Sequence, residues 1–98
     1  MKITSVNNEL VKETAKLLKS KYRDELGLFL IEGEKGVKEA VIAGVEIVHI
    51  FVLEGSNLFS GEEVVETTEA VLAKISDAKT PPRVVAIAKK PKYNVDSF

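Results

Sequence analysis

Cysteine is absent from the chain, which excludes disulfides, a thiolate nucleophile and thiolate metal sites. There is one histidine, His49, so neither a zinc site nor a Ser-His-Asp triad has its ingredients. Uninterrupted apolar stretches run only a few residues, far short of the roughly 20 needed to cross a bilayer. The start, Met1-Lys2-Ile3-Thr4-Ser5, lacks the apolar core of a signal peptide, and the expected location is the cytoplasm. What is present is ordinary for a folded domain. The 98 residues are 45% hydrophobic and 30% charged, enough for one core and too few for two.

Charge is strongly segregated beneath a net of −1. Residues 1–23 carry six Lys or Arg against Glu9 and Glu13; residues 24–78 carry three lysines against twelve carboxylates; residues 79–98 carry five cations against Asp96. Two basic ends flanking an acidic middle suggest a surface for a polyanion.

Leu10, Val11, Thr14, Leu17 and Leu18 follow the spacing of an amphipathic helix, with Asn7 or Asn8 as its N-cap. On that helix Lys12, Lys16, Lys19 and Arg23 share the opposite arc, four cations in a row. Lys21 to Gly27 ends the helix, and Leu28 to Ile31 reads as a short strand buried on both faces in the middle of a sheet. Gly33 permits a tight turn, and Val37, Ala40 and Val41 mark a second helix closed by Ala43-Gly44. The strongest strand signal is Ile47 to Leu53; within it His49 reads as a satisfied core or edge histidine rather than a catalyst. Glu54 to Gly61 is a loop, Val64 to Glu66 a brief strand, Glu69 to Ile75 a helix capped by Thr67 or Thr68, and Val84 to Ala88 a last strand. Helices interleaved with apolar strands predict an α/β protein, a three-layer α/β/α sandwich.

The Gly33-Glu34-Lys35-Gly36 turn follows a strand and opens a helix, as phosphate loops do, but lacks their glycine and lysine spacing. It can contribute one phosphate contact to a larger footprint. The close pairs Glu62-Glu63 and Glu32 with Glu34 read as solvated carboxylates.

Ile3-Thr4-Ser5, Asn7, Val11-Lys12, Lys21-Tyr22-Arg23, Phe29 to Gly33 and Glu39-Ala40 together resemble one family's opening. Ser76-Asp77, Thr80-Pro81, the Val84 to Lys89 strand and Lys90-Pro91 resemble the end of the same domain. It is the N-terminal substrate-binding domain of SpoU (TrmH-type) RNA 2′-O-ribose methyltransferases, in the SPOUT superfamily. Pro82-Arg83 departs from the family's usual polar residue and glycine. The resemblance implies a fold like the RNA-binding ribosomal proteins (L30e-like) and places Lys21, Arg23, Glu32, Gly33 and Lys35 in the substrate-recognition region. It implies an RNA substrate-binding domain over residues 1–90 and a linker over 91–98 toward a methyltransferase domain. That following domain would bind S-adenosylmethionine, carry catalysis and form a homodimer; no catalytic residue, cofactor site or metal site is assigned to this chain, and no membrane partner is implied.

The expected RNA contacts, to rRNA or tRNA, are Lys12, Lys16, Lys19, Lys21, Arg23, Glu32, Gly33, Lys35, Arg83, Lys89 and Lys90. Tyr22 is a candidate to stack on a base, although packing on the core suits a helix-end tyrosine better. Two other readings stand beside this one. Asn8-Glu9-Leu10-Val11-Lys12 resembles the Asn-Glu-x-x-Lys signature of free-standing kink-turn-binding modules. A protein-interaction domain would use the acidic middle and the Ser56-Asn57-Leu58-Phe59 loop.

Overall fold

The computed structural model of the chain describes residues 1–91; residues 92–98 of the expected linker lie outside the described residues. The elements run β1 (Lys2–Ile3), α1 (Glu9–Lys16), α2 (Ser20–Leu26), β2 (Leu28–Glu32), α3 (Glu34–Ile42), β3 (Ile47–Leu53), β4 (Val64–Thr67), α4 (Glu69–Lys74) and β5 (Val84–Lys89). The strands form one sheet in the order β1-β4-β3-β5-β2. β1, β4 and β3 run parallel, and β5 is antiparallel to both β3 and β2.

Alternation along the strands divides the core in two. Phe51, Val65, Val85 and Ile87 point to one face and meet Val11 and Leu17 on the α1 side and Val71, Leu72 and Ile75 on the α4 side. Ile50, Val52, Val84 and Ala86 point to the other and meet Val37 of α3. An apolar cluster on each face of the sheet is the expected three-layer α/β arrangement. Phe51 has 0% of its surface exposed, and β5 is buried from Val84 through Ala88.

Three local readings are corrected. Among the described residues β2 is an edge strand, paired with β5 alone, and its apolar residues are half-buried. Four consecutive apolar residues look the same in a central strand and in an edge covered by helices, here α2 and α3. The first helix is two helices. Leu17, Leu18 and Lys19 each donate their N–H three residues back, to Thr14, Ala15 and Lys16, which tightens and ends α1. Lys19 is then extended and starts α2 afresh. Lastly, β1 is a strand that two residues of polar context did not announce; it is held when the buried Thr67 hydroxyl donates to the Ile3 carbonyl at 2.5 Å.

The caps follow the side-chain chemistry. Asn8 Oδ1 accepts from the Leu10 N–H at 2.8 Å, and Thr68, not Thr67, caps α4 by accepting from the Val71 N–H at 3.2 Å. His49 sits beside a bulge, because pairing passes from Ile47 opposite Ala88 to His49 opposite Ile87 and leaves Val48 over. Its ring lies 6.3 Å from Phe51 and its buried Nδ1 has no partner among the described residues, where the strand context predicts a satisfied histidine.

Thr67→Val keeps the shape of the core but removes the bond that pins β1. The expected outcome in urea unfolding is a loss of about 1–2 kcal/mol, with early exchange of the backbone amides that pair β1 with β4.

Candidate nucleic-acid interface

The break between α1 and α2 decides where the basic residues go. Arg23 turns inward, and its Nη1 donates to the Leu17 carbonyl at 2.9 Å, capping the end of α1. It therefore leaves the cation stripe that one continuous helix would have presented. Lys16 bonds Glu13 at 3.1 Å, and the bond and charge of that carboxylate raise its pKa. The Lys16 and Lys21 Nζ atoms each lie 5.7 Å from the centre of the Tyr22 ring. Lys12, Lys19 and Lys21 are exposed and have no carboxylate partner among the described residues.

The second part of the site is the turn from β2 into α3. Gly33 has φ 92° and ψ 151°, a conformation in practice restricted to glycine. Its N–H donates to the Val84 carbonyl at 2.9 Å, and its carbonyl accepts from the Val37 N–H at 3.1 Å. That N–H is consumed by the sheet, so the turn does not offer it to a phosphate. At Gly36 an added Cβ would come 3.1 Å from Ile31 Cγ2; the absence of a side chain lets α3 lie close on β2. Glu34 pairs with Lys38 at 2.7 Å, and Lys35 stands exposed.

Between α2, β2 and the segment after α4 is a cleft of about 260 Å³, lined by Leu17, Leu18, Arg23, Phe29, Leu30, Glu32 and Asp77. It brings Arg23 and Glu32 together; Lys35 is not among its lining residues. Glu32 accepts from the Ser76 hydroxyl, which itself accepts from the Ala78 N–H at 3.0 Å. Asp77, which also lines the cleft, is not among the contacts expected from the sequence. Its only signal in the sequence was membership of the Ser76-Asp77 pair, because nothing local shows that the segment folds back onto β2.

Residues 8–86 match the family model of the MRM3-like substrate binding domain. The chain belongs to this family. It is an N-terminal substrate-binding domain of the SpoU (TrmH-type) RNA 2′-O-methyltransferase kind. An RNA 2′-O ribose methyltransferase crystal structure is 36% identical to the domain, with a TM-score of 0.82 over 100% of this chain and 41% of that one. An rRNA methyltransferase from Sinorhizobium meliloti is 29% identical, with a TM-score of 0.78 over 96% of this chain and 38% of that one. The structure of an AdoMet-bound rRNA methyltransferase from the same organism is 27% identical, with a TM-score of 0.82 over 100% and 40%. The substrate-binding domain thus spans about two fifths of the length of these enzymes. No curated protein matches the chain.

Within the domain the C-terminal cations do not form one group. Arg83 precedes β5, at the end of the sheet where Gly33 meets Val84, and is exposed. Lys89 ends that strand and Lys90 follows it, roughly 20 Å from Arg83 at about 3.4 Å per residue. There Lys89 pairs with Glu46 at 2.5 Å and Lys90 with Asp24 at 2.7 Å, while the Lys90 N–H donates to the Gly27 carbonyl. The bond from Lys90 and its positive charge hold the Asp24 carboxyl below its ordinary value. A wider cleft opens beside these pairs, with Leu26, Phe29, Val45 and Glu46 among its walls. Among the described residues no helix is long and apolar enough to cross a membrane, and no three His, Asp or Glu side chains gather as metal ligands.

Two outcomes follow from these contacts. Gly33→Ala meets no atom within 4 Å of the new Cβ, so its expected cost of about 1–3 kcal/mol in chemical denaturation is backbone strain alone. For Asp24, a folded pKa below the unfolded one stabilises the fold above the ordinary carboxylate range, and that contribution is lost as pH falls through the lowered folded value. Asp24→Asn is therefore less stable than the parent at neutral pH, by a small margin for so exposed a pair. In paired thermal melts the difference closes on acidification.

Proposed function

We propose that this domain binds structured RNA, ribosomal RNA by preference, as the substrate-recognition part of an S-adenosylmethionine-dependent RNA 2′-O-ribose methyltransferase. The observation that carries the reading is the α1–α2 corner, where Lys12, Lys19 and Lys21 are exposed without carboxylate partners in a domain of this family. Cations kept clear of carboxylates are available to phosphates, which position an RNA without reading its sequence. Lys16, Lys35 and Arg83 extend this surface; Lys16 would first exchange its bond to Glu13 for a phosphate. Lys89 and Lys90, engaged with Glu46 and Asp24, serve the fold before they serve the RNA. Arg23 and Glu32 line the adjacent cleft, and Gly33 shapes the turn beside it. Ribosomal RNA is favoured over transfer RNA because two of the similar structures are rRNA methyltransferases.

Methyl transfer, cofactor binding and homodimer formation belong, in this reading, to the three fifths of the relatives that the chain does not span. The cytoplasm, where ribosomal RNA is available, is the matching location. The free-standing kink-turn module and the protein-interaction domain are less well supported. Phe59 packs against the α3-side core and Leu58 is half-buried, which takes from the second of these the loop residues it would use.

Replacing Lys12, Lys19 and Lys21 together by Gln tests the assignment by the salt dependence of RNA binding. The slope of log affinity against log salt should fall by about 2–3, at roughly 0.7–0.9 per phosphate contact. An unchanged slope in a folded variant rejects the surface.

A further inference from the structure

We propose that the cleft between α2, β2 and the segment after α4 receives an unstacked guanine base, read along its Watson–Crick edge. This rests on the RNA-binding reading above and names what one part of the site recognises. The argument begins with charge. Glu32 and Asp77 place two carboxylates beside one guanidinium, so the cleft repels a phosphate while the lysines of α1 and α2 attract it. A neutral group rich in donors is the ligand that such walls accept.

Among the four bases, guanine alone presents two adjacent donors, N1–H and the N2 amino group, with an acceptor, O6, beside them. A carboxylate supplies two oxygens with several lone pairs, and a guanidinium supplies five N–H groups. Adenine and cytosine set one amino group next to an acceptor, and uracil sets one N–H between two acceptors; neither pattern gives a carboxylate two donors at once.

The groups are also held in place. Ser76, itself buried, donates to Glu32 Oε1, which leaves Oε2 and the remaining lone pairs for a ligand. Arg23 spends one Nη1 bond on the Leu17 carbonyl, which anchors its side chain at the cleft and leaves its other N–H groups. Lys19 and Lys21, on the same α2 segment as Arg23, are available to the flanking phosphates.

The test is an amide NMR titration of the 98-residue chain with guanosine, inosine, adenosine, cytidine and uridine 5′-monophosphates at matched ionic strength. Guanosine monophosphate should shift the amides of Arg23, Glu32 and Asp77 and bind about 5- to 100-fold more tightly than inosine monophosphate, which lacks the N2 amino group. Glu32→Gln keeps an acceptor for Ser76, and Asp77→Asn alters an exposed side chain; at least one should bring the guanosine-to-inosine ratio below about twofold. Equal responses to all five nucleotides, shifts confined to residues outside the cleft, or no response overturn the proposal. Salt-dependent RNA binding together with a silent cleft overturns the guanine assignment alone, and loss of that binding as well overturns the RNA reading with it.

Discussion

Strand β5 is the constraint on which the other elements depend. It is buried along nearly its whole length between β3 and β2, so its side chains must satisfy two cores at once. Val85 and Ile87 enter the cluster under α1 and α4, and Val84 and Ala86 enter the one under α3. A one-residue slip would exchange these sets and leave both layers misfitted. Its ends fasten the turns as well. The Arg83 carbonyl accepts from Leu53 and the Val84 carbonyl from Gly33 at one end, while Lys89 and Lys90 donate to Glu46 and Gly27 at the other.

From this frame the interface inherits its geometry. Because Gly33 is tied to β5, Glu32 leaves the sheet at a set position, and Ser76 reaches it from the segment after α4. Because α1 stops at Leu17, α2 can turn along β2, and Arg23 comes to line the cleft that holds Glu32. The acidic and basic residues that are separated along the chain are thus interleaved at one place. Elsewhere the same proximity neutralises charge, as at Lys89 with Glu46 and Lys90 with Asp24. Sequence position alone would count those lysines with the free ones.

Much of the architecture was legible from residue types. The β-branched runs at Ile47 to Leu53 and Val84 to Ala88, the threonine ahead of α4 and the glycine after α3 act through local chemistry, and the structure has each in its expected role. The break at Leu17 to Lys19 was not legible, since no proline or glycine marks it; it forms where tertiary packing turns the chain and Arg23 satisfies the freed carbonyl. The edge position of β2 was hidden for a related reason. Burial by covering helices and burial between strands ask for the same apolar side chains.

By itself, then, the sequence determined the α/β class, most strand and helix positions, the segregated charge and the family, because these follow from local propensity and from the order of short motifs. Tertiary structure alone decided which lysines stay unpaired, which end of β5 each cation occupies, and that Asp77 joins Arg23 and Glu32 in one cleft. Ion pairing and cleft formation depend on distances between residues far apart in the chain, and no local pattern encodes them.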